Sequence, residues 1–231
     1  MKRGARLAAW LALAGAALFL AVQLSFLARV WWWRDHNPES TAFMKQRLAV
    51  MREKNPSAKL QHTWVPYTRI SINLKRAVVA AEDAKFVDHE GFDWEAIEKA
   101  AEKNRQRKHV VVGGSTISQQ LAKNLFLSGA RTPWRKGQEA LITVMIEHVM
   151  DKRRILEVYL NVIEWGDGVF GAEAAARHYY QSSAGSLGPE ASARLAAMVP
   201  NPRFYDAHRN TSWLTRKTQL ILARMPAAEV P

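Results

Sequence analysis

The sequence predicts a mainly α-helical protein in which a single-pass N-terminal transmembrane helix precedes one helical domain. Three observations predict this. Leu7 to Ala28 is a run of 22 residues without a charge, and Gln23 and Ser25 are its only clearly polar side chains. Downstream, apolar residues return every third or fourth position in several separate stretches, as one face of a helix requires. No run alternating with period two is long enough for a core sheet, and no internal repeat is present. Hydrophobic residues make up 48% of the 231 and nine are tryptophan, enough for a full core and too many for bulk disorder. The absence of cysteine excludes a disulfide-stapled scaffold, thiolate-bound metal and a cysteine nucleophile.

Residues 1–6 read as a cytoplasmic tail, 7–33 as the transmembrane anchor, 34–64 as a membrane-proximal linker or jaw region, and 65–231 as the main helical domain. At about 1.5 Å per residue the uncharged run spans roughly 33 Å, enough to cross a bilayer core. Lys2, Arg3 and Arg6 precede it and favour a cytoplasmic N-terminus, an asymmetry that Arg29 and Arg34 weaken. Trp31, Trp32 and Trp33 sit where an interfacial aromatic belt belongs. A cleaved signal peptide would have a shorter apolar region and small residues at a cleavage site, whereas this run ends in Phe26-Leu27-Ala28-Arg29.

Residues 34–75 are mixed, with Asn37-Pro38 and Asn55-Pro56 as breakers. Phe43, Met44, Met51 and Trp64 among basic residues suggest, by composition alone, a second membrane-touching surface. A helix is expected from Lys75 to Phe86, packed through its alanines and stopped by Gly91. Asp93 caps the next helix, through Trp94, Ile97 and Ala101, and Arg105 to His109 form a basic connector. Val110-Val111-Val112 reads as extended loop. Ser115 is the expected N-cap of a helix carrying Ile117, Leu121 and Leu125. Thr132-Pro133 opens another helix to about Met150, and Lys152 to Asn161 continues with Ile155, Leu156, Tyr159 and Leu160 on one side. Gly166, Gly168 and Gly171 make a flexible turn before a helix from Ala172 to Tyr180, and Pro189 opens one more to about Met198.

Charge narrows the class of partner. Lys+Arg of 33 against Asp+Glu of 21 gives a formal +12, which calls for nucleic acid, a membrane surface or a phosphorylated substrate. Between Lys99 and Arg154, 12 basic residues stand against four acidic ones, so +8 of that charge is clustered. A domain outside the cytoplasm excludes nucleic acid and leaves lipid head groups and lipid-linked phosphates.

Glu82 lies between Ala80-Ala81 and Phe86, and apolar walls would raise its pKa and make it a better base. On a continuous helix Glu82, Phe86 and His89 would share a face, while Asp83 points elsewhere and suits a backbone hydrogen bond. An isolated Glu-Asp pair at a helix end is as readily a solvated face, and His89 beside Gly91 a structural histidine. Gly113-Gly114 ahead of Ser115, Thr116, Gln119, Gln120, Lys123 and Asn124 is equally readable as a capped polar helix or as backbone N–H groups open to an anion, with amides for a sugar. Arg131, Arg135, Lys136 and Lys123 surround one carboxylate, Glu139; four cations near a helix start suit a diphosphate, although Arg135 and Glu139 also match an intrahelical ion pair.

Four ordered motifs carry a resemblance: Glu82-Asp-x-x-Phe86-x-x-His89-x-Gly91, Gly114-Ser-Thr-Ile-x-Gln119-Gln120-x-x-Lys123-Asn124, Arg135-Lys136-x-x-Glu139, and Lys152-x-x-Ile-Leu-Glu157-x-Tyr159-Leu-Asn161. With a looser fifth element, Gly171 to Tyr180, in which Tyr180 stands where Phe is common, they resemble the peptidoglycan glycosyltransferases, glycosyltransferase family 51, over about residues 65 to 205. The short chain with one anchor is similar to the monofunctional members. No Ser-x-x-Lys, Lys-Thr-Gly or Lys-Ser-Gly marks a transpeptidase domain, so crosslinking is expected to fall to separate enzymes.

The resemblance implies a lysozyme-like α-helical fold outside the bacterial inner (cytoplasmic) membrane, and polymerisation of lipid II into β-1,4 glycan with release of undecaprenyl diphosphate. It makes Glu82 the general base and Glu139 the second essential carboxylate, which either orients Lys and Arg or holds a divalent metal. Asp83, Phe86, His89, Gly114, Ser115, Thr116, Gln119, Gln120, Lys123, Asn124, Arg131, Arg135 and Lys136 become substrate-binding positions; Lys152 to Asn161 is mostly scaffold. The sequence itself demands no cofactor, and Mg²⁺ or Mn²⁺ at the diphosphate is compatible with it. Implied partners are lipid II, the growing lipid-linked glycan, the membrane and cell-wall synthesis or division proteins, with no nucleic acid. Two other classes fit parts of the pattern: a two-carboxylate glycoside hydrolase, and a catalytically idle membrane-anchored binding protein.

Overall fold

The computed structural model describes residues 2–107, 113–130 and 132–231. Helix α1, Lys2–Asp35, contains the one stretch among the described residues long and apolar enough to cross a membrane, Gly4–Asp35. That helix fits a single-pass anchor. The mainly α architecture holds throughout, with α2 (Ala42–Lys54), α3 (Ile72–Glu82), α4 (Trp94–Arg107), α5 (Ile117–Phe126), α6 (Pro133–Val149), α7 (Lys152–Val162), α8 (Ala172–Tyr180), α9 (Pro189–Met198), α10 (Pro202–Ala207) and α11 (Ser212–Arg224).

The segment after the anchor is more ordered than its breakers suggest. Thr41 caps α2 by accepting from Met44 N at 3.1 Å, and α2 packs on α5. Helix α3 departs from expectation at both ends. Ser71 caps its start, and it stops at Glu82 instead of running to Phe86. Asp83 leaves the helical conformation because its carboxylate has partners far along the chain: Oδ2 accepts from Ile117 N at 2.9 Å and Oδ1 lies 2.9 Å from His89 Nε2. Two long-range bonds outweigh helix propensity, so Glu82, Phe86 and His89 do not share a helical face.

Asp93 caps α4 as expected, through Ala96 N at 2.9 Å, but α4 runs on through Arg105 to Arg107, where a connector was expected. The rest of that connector and Val110-Val111-Val112 lie outside the described residues. The cap of α5 is Thr116, not Ser115: Thr116 accepts from Gln119 N while Gln119 Oε1 accepts from Thr116 N at 3.0 Å, a capping box. Gly114 serves packing, since a Cβ there would lie 3.0 Å from Ile97 Cα. Thr132 caps α6 and Asp151 caps α7, whose Ile155, Leu156, Tyr159 and Leu160 are all buried.

The glycines between α7 and α8 are not a flexible turn. Glu164–Gly166 (β2) and Val169–Phe170 (β3) pair antiparallel, and β3 pairs in parallel with Gln61–His62 (β1), giving the order β1-β3-β2. Strands of two or three residues carry no readable alternation, so sequence patterning missed this sheet. Gly171 adopts φ +82, and a Cβ there would meet Asn161 O at 2.7 Å.

Around these elements one core joins α3, α5, α7, α8 and α9, with α11 against α9 and α3. Asn161 ties the segment before α3 to α7: its Oδ1 accepts from Val65 N at 2.8 Å, and its Nδ2 donates to Val65 O at 2.9 Å and Glu157 O at 2.8 Å. Asn161→Ala strands buried backbone groups and is expected to cost about 2–3 kcal/mol, a melting midpoint lower by roughly 5–10 °C, measured by circular dichroism in detergent.

Candidate active site

Helices α5 and α6 converge on a cleft of about 400 Å³ whose other side is lined by the loop before α10. The α5 face brings Gln119, Gln120, Lys123 and Asn124 to it, α6 brings Arg135, Lys136 and Glu139, and Ser115 stands at the α5 entrance.

Glu82 ends α3 beneath this wall. It is half-buried. Gln120 Nε2 donates to Glu82 Oε2 at 2.8 Å, while no described residue bonds Oε1. Gln120 is itself oriented: its Oε1 accepts from the hydroxyl of buried Tyr159 at 2.9 Å, which forces the amide NH₂ toward Glu82. Burial pushes the Glu82 carboxyl above its ordinary range, against the Gln120 hydrogen bond and the charges of Lys217 and Lys123. A desolvated carboxylate with one oxygen held and the other open has the form of a general base.

The second carboxylate, Glu139, is differently placed. Its side chain is 4% exposed; Arg135 Nη1 donates to Oε2 at 2.6 Å and Lys136 Nζ donates to Oε1. Both oxygens are therefore engaged by cations. This is the intrahelical pair anticipated for Arg135, and because Glu139 is buried, removing a cationic partner would strand its charge at a cost of about 3–5 kcal/mol. Lys136 Nζ also donates to Ser115 Oγ at 3.2 Å. Lys123 makes no ion pair among the described residues, and burial lowers its pKa against the pull of Glu139 and Glu82.

Other predicted positions stand behind the cleft. Asp83 and Phe86 are buried, and His89 bonds Asp83 and, through Nδ1, accepts from Gly91 N at 3.1 Å. Thr116 Oγ1 donates to Gly91 O at 2.7 Å. These contacts join the turn after Glu82 to the start of α5, so they fix where the carboxylate sits. Lys152, in the fourth motif, donates to His89 O and to Glu147, as scaffold. Asn124 faces the cleft while its Nδ2 donates to Gln120 O at 2.8 Å. Arg131 lies outside the described residues.

Sequence reasoning missed a group on the opposite side. Glu164 is buried in the cleft wall, with Arg47 Nε at 3.4 Å and Arg203 Nε at 3.5 Å, and burial pushes its carboxyl upward. Asn201 and Phe43 line the same side, and Lys217 of α11 acts on Glu82. Charge in a cleft-forming segment was the only available signal. Among the described residues, no group of three or more His, Cys, Asp or Glu could hold a metal ion.

Comparison with known proteins places this geometry in context. The family model described as transglycosylase matches residues 48–226. The chain is 60% identical over 231 residues to the biosynthetic peptidoglycan transglycosylase of Herminiimonas arsenicoxydans, covering 100% of both. It is 64% identical to the protein of that name from Dechloromonas aromatica, covering 93% of each chain. The one from Methylobacillus flagellatus is 63% identical, over 93% of this chain and 96% of the relative.

Proposed function

The chain belongs to the transglycosylase family, and from that membership and the cleft we propose that it polymerises lipid II into β-1,4-linked glycan. The observation that carries this reading is the juxtaposition of one desolvated carboxylate, Glu82, with a wall of cations organised by another, Glu139.

Glu82 Oε1 takes the proton of the acceptor's GlcNAc 4-hydroxyl as that oxygen attacks the anomeric carbon of the donor's MurNAc. The new C–O bond forms opposite the leaving group, which inverts the centre. The bond from that carbon to the diphosphate breaks, and its electron pair leaves on the diphosphate oxygen. Lys123, Arg135 and Lys136 meet the developing charge, with Arg131 assigned there by its motif position. Arg135 Nε is buried without a partner among the described residues, so its guanidinium keeps a donor for a phosphate oxygen. Gln119 contributes less to sugar binding than its position suggests, since its amide oxygen closes the α5 cap.

Hydrolysis would require a second carboxylic acid to protonate a sugar oxygen. Glu139, with both oxygens held by cations, is unsuited to that task; a diphosphate leaving group needs cations instead. Among the described residues no carboxylate cluster would hold a divalent metal and both oxygens of Glu139 are engaged by cations, so the proposed steps run through the chain's own residues. Elemental analysis of the purified protein is expected to find no stoichiometric metal.

We place the domain on the outer face of the cytoplasmic membrane, where Lys2, Arg3 and Arg6 hold the N-terminus inside. The reading is tested by incubating the full chain in vesicles with lipid II and resolving products by size. Conversion of lipid II into long glycan is expected; shortening of preformed glycan with no polymer formed overturns it.

A further inference from the structure

Helix α10 and the start of α11 carry four rings in one continuous group. The Phe204 and His208 rings are stacked at 4.4 Å and 16°. Phe204 meets Tyr205 edge-on at 5.2 Å, and Tyr205 and Trp213 are stacked at 5.1 Å and 8°. Phe204 is 43% exposed and Trp213 41%; His208 is exposed as well, and half-buried Tyr205 joins the two ends. Large rings grouped in water in this way mark a surface that meets a ligand.

The group is held in place from beneath. Asp206 Oδ2 accepts from Asp167 N at 3.0 Å, while Oδ1 lies 3.0 Å from His178 Nε2 and accepts from Arg209 Nη2 at 2.9 Å. These bonds fasten α10 to the turn between β2 and β3 and to α8. The rings therefore present fixed faces, and little ordering entropy is lost when a ligand settles on them.

What settles there follows from the direction of the cleft. The cations that meet the diphosphate stand on α5 and α6, and α6 packs on the anchor α1. The donor strand is joined to its lipid through that diphosphate, so its sugars run away from α6, toward the opposite wall of Asn201, Pro202 and Arg203. Pro202 is the first residue of α10, and the ring group begins directly after Arg203. A cleft of about 400 Å³ is the size of one small-ligand site. A strand of many sugars has to continue over the surface beyond it, and α10 is the surface that follows. Pyranose rings have C–H faces that lie on aromatic rings and hydroxyls around their edge. Arg203, its side chain 52% exposed, supplies donors for those hydroxyls at the cleft rim.

We propose that Phe204, Tyr205, His208 and Trp213 form a platform outside the cleft for the nascent glycan, on which pyranose faces stack as the strand grows. The ligand class is a β-1,4-linked amino-sugar strand, recognised by its ring faces. The platform holds the strand between couplings, so that each strand is extended many times before it leaves. This inference rests on the proposed polymerisation and adds to it a site away from the reacting atoms.

Phe204→Leu with Trp213→Leu removes both exposed ring faces and keeps apolar bulk, whereas Phe204→Tyr with Trp213→Tyr keeps the rings. The full chains, matched by circular dichroism, are compared in vesicles with lipid II, and products are sized at equal lipid II consumption. Strands several-fold shorter than the parent's are expected from the leucine pair, and parental lengths from the tyrosine pair. Parental lengths from the leucine pair overturn the proposal. Equally short strands from both pairs assign the loss to packing and overturn it too. A second arm needs no catalysis: lipid-free, uncrosslinked glycan strands are pelleted with vesicles carrying each protein. The parent and the tyrosine pair should retain several-fold more strand than the leucine pair. Retention by the parent no greater than by empty vesicles overturns the platform. A parent that retains strand through these rings yet makes no polymer contradicts the polymerisation and still supports the platform.

Discussion

Replacing Glu82 by glutamine is expected to lower polymerisation by about 10²–10⁴-fold, the range general base catalysis supplies, while leaving the fold intact. The amide keeps the shape and still accepts from Gln120, so the loss isolates the proton-accepting step. The same variant should be more heat-stable at neutral pH. A carboxyl whose pKa burial has raised favours the fold below its unfolded pKa, and that contribution is lost as pH rises through the folded pKa. Above the folded pKa the parent carries a buried charge that Glu82→Gln does not. Melting curves should separate in favour of the variant at neutral pH and converge toward acidic pH. Parental polymerisation rates in Glu82→Gln would remove Glu82 from the base role.

Lys123→Met is the second large effect. It keeps the aliphatic stem and deletes the one cleft cation on α5, and a turnover loss of about 10²–10³-fold is expected, with a smaller change in KM. It also has a pH signature. The Lys123 charge favours the ionised form of Glu82, so its removal pushes the Glu82 carboxyl further upward. The acid limb of the kcat/KM profile should move to higher pH in Lys123→Met. A profile superimposable on the parent's would mean that Lys123 and Glu82 do not share a site.

Much of this was readable from local signals. The uncharged run, the Thr132-Pro133 start of α6 and the buried side of α7 each have a signature within a few residues. The motif spacing also brought Gln120, Lys123, Arg135, Lys136 and Glu139 to one cleft. What was not legible depends on distant partners. The end of α3 at Glu82 reflects bonds from Asp83 to residues 6 and 34 positions away. The capping role passes from Ser115 to Thr116 because Thr116 can also reach Gly91 O and pair with Gln119. Tyr159 sits in a motif read mostly as scaffold, yet its hydroxyl orients Gln120 and through it Glu82. Lys217, Glu164 and Arg203 sit where no local pattern marks a residue as part of a site; only folding brings Glu164 and Arg203 to the cleft and the charge of Lys217 to bear on Glu82.

The central claim is that Glu82 and the cations around Glu139 join sugars at the expense of a diphosphate bond. Its most direct test is a count made on one reaction: undecaprenyl diphosphate released and disaccharides joined, from lipid II in vesicles carrying the full chain. One diphosphate lipid per new β-1,4 link is predicted, with both quantities falling together in Glu82→Gln. Diphosphate release without chain growth, or new reducing ends without diphosphate release, would contradict it.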